Sequence, residues 1–335
     1  MRRTLAFASC ALMLLGACAS GPSGAQTYAV DLDAPSPEGT KLQVSAYFPG
    51  SLKANAGDTI VFRNRSTEAP HTVTFGVLAD RSNQPQLLTP DGENPAAFGP
   101  CYSEDNATPE LARCPSTELP AFGGTGYWNS GLLQAAPVPD EAGAKEIEVE
   151  LTDDIAPGNY AYVCVLHPFM NGTLQIVEEE SDREAPDDVT TEAGEARDDA
   201  LADAENLEAP ELERDGETQV VSAGWGDRVS AVNLFAPAQL DVKTGTDVRW
   251  VARSPYEPHT ITFESTFEPE DPASFQPSGV ESGSEYTGGP ANSGLVGAEG
   301  GPFGTSFELT FTEPGEYSYV CALHPGQEGV VRVTE

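Results

Sequence analysis

Two β-sandwich domains in tandem are predicted for this chain, and three observations predict them. The sequence repeats itself once, each copy consists of short runs rich in β-branched and aromatic residues, and Gly and Pro punctuate those runs. Residues 49–75 align without a gap on 237–263, LKANAGDTIVF…EAPHTVTF against LDVKTGTDVRW…YEPHTITF. Asn129-Ser130-Gly131-Leu132 matches Asn292-Ser293-Gly294-Leu295, and PGNYAYVCVLHPFMNG matches PGEYSYVCALHPGQEG. Three blocks in one order, with length changes only between them, indicate a duplicated domain.

The elements follow in chain order. Arg2 and Arg3 precede an apolar run from Leu5 to Leu15 that is too short for a committed membrane span. It ends in Leu15-Gly16-Ala17-Cys18, which resembles a bacterial lipobox. Residues 1–17 are therefore expected to be a removed lipoprotein signal, Cys18 the lipidated residue and 18–26 a tether, with the chain exported and held at the envelope on the extracytoplasmic side. A plain secretory signal is the alternative. Domain 1 is placed at 27–177. In it Thr59-Ile60-Val61-Phe62, Thr72-Val73-Thr74-Phe75 and Tyr160-Ala161-Tyr162-Val163 read as strands. Ile147, Val149 and Leu151 alternate with glutamates, the mark of a strand with one wet face. Gly57-Asp58 and Pro157-Gly158 supply turns.

Residues 178–217 change character, with 18 acids, 3 arginines and no aromatic residue. A single acidic helix is one reading; a disordered, self-repelling linker that lets the domains meet only intermittently is the one preferred. Domain 2, at 218–335, repeats the β pattern, with Phe307, Leu309 and Phe311 alternating with polar residues and a turn at Pro314-Gly315. Antiparallel pairing is expected in both sandwiches.

The net charge is −36, and without Arg2 and Arg3 the remaining 15 basic and 53 acidic residues leave −38. That sign excludes nucleic acid as a partner and suits either a basic protein partner or a high-salt environment.

All four histidines lie in the repeated blocks: His71 and His167 in the first copy, His259 and His324 in the second. Each copy thus offers two imidazoles and one thiolate, Cys164 or Cys321. With Met170 as a weak axial donor, two His and one Cys make a trigonal blue-copper ligand set. In the second copy Gln327 stands where Met170 stands in the first, and glutamine is an alternative axial ligand. Burial of these residues in an ordinary core is the bland reading, weakened by its having to occur twice in register.

The pattern APH…CVLHPFM, with its Pro-Gly-x-Tyr lead-in and a Gly-Asp turn upstream, resembles the cupredoxins, the plastocyanin and azurin family. The Cys-x2-His-x2-Met spacing is similar to that of amicyanin, and the Gln at the fourth position to that of stellacyanin. The resemblance covers both copies. It implies two Greek-key cupredoxin β-sandwiches and copper in each, held by His71, Cys164, His167 and Met170 and by His259, Cys321, His324 and Gln327. It also implies single-electron exchange with redox proteins such as c-type cytochromes or membrane oxidoreductases that offer a basic docking face. Two departures bear on this. Thr72 and Thr260 follow the first histidines where plastocyanin has Asn, and Val163 and Val320 precede the cysteines where plastocyanin has Tyr, with Tyr162 and Tyr319 one step back. The lateral route for electrons is thereby put in doubt, and the imidazole edges of His167 and His324 are the expected way out to solvent.

Cys101 and Cys114 lie in a segment found only in the first copy and are expected to form a disulfide in an oxidising compartment, a metal or redox pair being the minor alternative. Trp128, Trp225 and Trp250 are expected to pack in core or loops. Multicopper oxidases and copper nitrite reductases need further histidines for their other coppers, and two sites already use all four. A binuclear copper centre needs two cysteines in one loop. Copper delivery, with domain 2 a degenerate or structural copy, is the remaining alternative, although the mature chain lacks Met-rich or His-rich tracts. The expectation is a non-enzymatic electron carrier whose second site has the lower potential, since an oxygen donor favours the oxidised metal.

Overall fold

The computed structural model describes residues 24–77, 85–89, 92–104, 112–136, 143–264, 275–299 and 303–335. The signal and Cys18 lie outside the described residues. No helix among them is long and apolar enough to cross a membrane.

Each copy folds as two facing sheets. In the first, strands Glu146–Glu150, Thr59–Asn64, Thr27–Leu32 and Tyr47–Phe48 form one sheet. Ser51–Ala54, Asn171–Ile176, Gly158–Val163, Thr74–Phe75, Tyr127–Ser130 and Pro100–Ser103 form the other. The alternation in TIVFRN places Ile60 and Phe62 inward, where Phe62 meets Phe75 and Tyr162 edge-on between the sheets. Trp250 takes the place of Phe62 in the second copy, fully buried against Phe263 and Tyr319. Trp128 is buried as well, and Cys101 and Cys114 are joined in a disulfide.

The pairing is not all antiparallel. Thr27–Leu32 runs parallel to Thr59–Asn64, and Ser51–Ala54 parallel to Asn171–Ile176; Thr218–Gly226 and Thr246–Arg253 repeat the first of these pairs. The chain leaves one sheet and returns to it through the other, so strands that are close in sequence meet in the same direction.

The linker departs from expectation. Residues Pro186–Ala204 form a 19-residue helix with Pro at its start and Asp187 and Asp188 in its first turn, where acids favour a helix N-terminus. Val189, Ala193 and Ala204 are buried, with Ala200 and Leu201 partly so, at spacings that make one narrow apolar stripe. Arg197 pairs with Asp31 at 2.8 Å. The abundance of acids pointed to disorder, but the acids occupy the outer face of a helix whose small residues dock on the first copy.

Nor do the copies meet intermittently. Leu42–Val44 leaves the first copy and adds itself, antiparallel, to the edge strand Ser230–Ala236 of the second, with Ala231 opposite Gln43. An open sheet edge is thereby closed. Leu42, Val44, Phe48, Ala193, Ala204 and Val232 form a shared core, with Trp225 packed against it. Fully burying side chains of the Leu, Val and Phe type contributes about 1.5–3 kcal/mol each, enough in sum to hold two acidic bodies together.

Candidate metal centre

Each copy builds its site from a loop and a hairpin end. Before His71, Ser66 Oγ accepts the backbone N–H groups of Glu68 and Ala69, and Asn64 Nδ2 donates to the carbonyls of Ala69 and Leu133. His71 then exchanges two backbone hydrogen bonds with Leu133, at 3.0 and 2.7 Å. Ser254 and the pair His259–Val296 do the same in the second copy. Loop residues are thus fixed before they present a side chain. Ser130 Oγ accepts from Val73 N–H and Ser293 Oγ from Ile261 N–H, so the Asn-Ser-Gly blocks clamp the strand that carries each first histidine.

The Cys-x2-His loops are tight. Cys164 N–H donates to the Met170 carbonyl and Met170 N–H to that of His167; Cys321, Gln327 and His324 repeat this. Met170 and Gln327 hold equivalent places, both buried. The result is two groups, His71–Cys164–His167 and His259–Cys321–His324, whose ligand atoms lie within 4.8 Å of one another and which could hold a metal ion. Nδ1 faces the thiol in all four histidines, at 3.8 and 3.3 Å from Cys164 Sγ and at 4.0 and 3.4 Å from Cys321 Sγ. Gln327 Oε1 lies 3.0 Å from His259 Nδ1, which brings the amide into the second group.

The threonines perform the tie that was in question. Thr72 and Thr260 donate backbone N–H to Cys164 Sγ and Cys321 Sγ at 3.4 and 3.3 Å. Their hydroxyls accept from Val165 N–H and Ala322 N–H, at 2.9 and 2.7 Å, joining the two ligand loops around the sulfur. Burial alone would raise the Cys164 thiol, but His167 and His71 outweigh it and hold it well below its ordinary value; Cys321 behaves alike beside His324 and His259. Burial disfavours a charged His167, yet Cys164 and Glu257 overcome that and raise it to about 10, and His324 to about 10 through Cys321 and Glu257. A metal ion bound here would displace the protons held between sulfur and Nδ1, and soft sulfur together with imidazole nitrogen is a donor set that suits copper.

What lies behind the ligands differs between the copies. His71 Nε2 donates to Asp33 Oδ2 at 3.0 Å, both groups fully buried. Val30 stands opposite Phe62 and Val221 opposite Trp250, so Asp33 and Gly224, three residues on, are structural equivalents. Both adopt the left-handed region, φ 61° and 68°. Gly224 offers no carboxylate, and His259 Nε2 is buried without a partner.

One expectation is overturned here. His167 and His324 are not at a solvent edge: they are 4% and 2% exposed. Each faces the other copy, and Glu257 stands between them. His324 Nε2 is 3.1 Å from Glu257 Oε1 and His167 Nε2 is 3.5 Å from Oε2. Gln43, on the exchanged strand, donates its amide to Glu257 Oε2 at 3.1 Å and is itself held by Asn233 Nδ2 at 2.9 Å. Nothing in the sequence marked Asp33, one acid among 53. Glu257, two residues before a predicted ligand, carried a weak signal that only the docking of the copies makes readable.

Residues 226–334 match a family model described as copper binding proteins, plastocyanin/azurin family. Among solved structures, the chain is similar to a methionine-to-alanine mutant of amicyanin with Cu(I), at 23% identity and TM-score 0.23 over 34% of this chain and 80% of that one. It is also similar to a purple cupredoxin from Nitrosopumilus maritimus, at 21% identity and TM-score 0.23 over 34% of this chain and 98% of that one. A methionine-to-glutamine mutant of amicyanin with Cu(I) matches at 23% identity and TM-score 0.23, covering 35% and 83%.

Proposed function

We propose that the chain is an exported, lipid-tethered carrier of single electrons with one type 1 copper site in each copy. The observation that carries this reading is the pair of buried His-Cys-His groups, each with two Nδ1 atoms turned toward one low-pKa thiol. The match of residues 226–334 to a copper-binding family supports it. Copper bound there would cycle between Cu(I) and Cu(II) and so take up and release one electron. The chain's own contribution is to keep the donors still: Thr72 and Thr260 fix the sulfurs, Asp33 holds Nε2 of His71, Glu257 stands against Nε2 of His324 and His167, and the apolar core excludes water.

The second site is the lower in potential on this reading, because Gln327 offers an amide oxygen where Met170 offers a thioether. Asp33 acts in the opposite sense, since its charge beside His71 favours the oxidised state of the first site. Redox partners are c-type cytochromes or membrane oxidoreductases with a basic face. With both imidazole edges enclosed, contact with them falls to other parts of the ligand loops, such as Phe169, 40% exposed with Arg228 over its ring.

Copper titration with visible spectroscopy tests the proposal. Two equivalents should bind, with intense thiolate-to-copper bands; Cys164→Ser and Cys321→Ser should each delete one equivalent and its band. A protein that stays colourless with Cu(II), or keeps both bands in either variant, refutes it.

A further inference from the structure

Glu257 is a buried carboxylate, 5% exposed, in the second copy's loop ahead of His259. Burying a charge is costly unless it is paired and hydrogen-bonded, and here each oxygen has its own imidazole. Oε1 faces His324 of its own copy and Oε2 faces His167 of the other, with Gln43 also donating to Oε2. With Nδ1 turned to the thiol in both rings, a metal-bound ring keeps its proton on Nε2: that of His324 lies 3.1 Å from Oε1, and that of His167 lies 3.5 Å from Oε2 and 3.2 Å from the Gln43 amide nitrogen that shares this oxygen. The arrangement occurs once: the equivalent of Glu257 in the first copy is Ala69, also buried. One side chain at the interface therefore serves both sites.

We infer that Glu257 wires the two metal sites together, its carboxylate joining His167 to His324 so that an electron arriving at one site passes to the other inside the molecule. The inference rests on the copper reading above. The transfer is balanced within the chain: one site loses an electron as the other gains it, no bond forms or breaks, and both Nε2 protons stay in place. A short hydrogen-bonded path across a dry interface replaces a passage through solvent, and the exchanged strand Leu42–Val44 keeps it closed by fixing Gln43.

The test uses the full chain and two measurements. In the metal-free protein, imidazole Nε2–H resonances are followed by NMR in wild type and Glu257→Gln. An amide has one acceptor oxygen, so at least one of the two hydrogen bonds must be lost, and the change should reach the rings of both His167 and His324 while His71, on Asp33, stays put. In the copper-loaded protein, one electron per molecule is delivered by a photogenerated one-electron reductant, and its redistribution is followed through the visible bands. Glu257→Gln should slow this internal step at least tenfold with both bands retained. Glu257→Asp keeps the charge but is too short to span both rings, and should give an intermediate rate; it serves if the amide variant does not fold. Resonance changes confined to His324, or an unchanged internal rate with both bands present, overturn the inference alone. Absence of any charge-transfer band in the wild-type chain overturns the copper reading and takes the electron route with it, even where the NMR shows the bridge.

Discussion

At the residue scale, the two sites share a His-Cys-His group and differ in the fourth side chain, Met170 or Gln327, and in what stands behind the first histidine. A Cβ on Gly224 would come 2.1 Å from His259 Nε2, and the left-handed φ of 68° adds about 1–2 kcal/mol of strain for any other residue. Gly224→Ala should therefore push the His259 ring aside and lower metal affinity of the second site about 10–100-fold, with the first untouched. Asp33→Asn acts on the opposite site. It removes a negative charge from beside His71 and should raise the first site's midpoint potential without moving the second. Metal stoichiometry under chelator competition and redox titration read the two outcomes; a shift of both sites in either variant would contradict the separation. The gathering of each His-Cys-His group was legible in the sequence because every histidine fell in a repeated block. Gly224 and Asp33 were not, since their equivalence depends on strand register across a bulge at Ala223/Trp225 and on no shared letter.

At the scale of elements, the helix Pro186–Ala204 shows how composition misleads. Summed over the segment, acids are 18 of 40 residues, and a mean says disorder. Position by position, good helix formers surround a stripe of small apolar residues, and packing against the first copy supplies what an isolated acidic helix would lack. The strands were easier to read, because period-two alternation in TIVFRN or EIEVE survives whatever the partner strand is. Leu42–Val44 was invisible for the opposite reason: three residues carry no period, and their partner lies in the other copy. Ala193, 5% exposed in the shared core, is the place to test the helix. Ala193→Glu buries an unpaired charge there and should cost about 2–3 kcal/mol in chemical denaturation. Glu192→Gln, on the exposed face of the same helix, should change stability by no more than about 0.5 kcal/mol. Equal effects from both would mean that the helix does not dock.

At the scale of the whole molecule, a net charge of −36 and a permanently docked pair of domains pull against each other. Like charges on the two bodies repel over roughly 8–10 Å near physiological ionic strength. The contact that opposes them is chiefly apolar, with Leu42, Val44, Phe48 and Val232 at its centre and the buried network of Gln43, Glu257 and two histidines beside it. The sign of the salt response follows. If the backbone is cut once at the exposed pair Glu211-Leu212, between the helix and Glu213–Asp215, the two pieces should stay together, and added salt should tighten their association by screening the repulsion. Surface ion pairs such as Arg249–Asp215 and Arg253–Glu213 lie within the second piece and do not bridge the cut, so their weakening by salt leaves the association unaffected. Sedimentation of the nicked protein at low and high salt measures this. Dissociation on raising salt would show that exposed ion pairs, and not the shared apolar core, hold the copies in register, and it would leave the buried bridge between His167 and His324 without the rigid frame it needs.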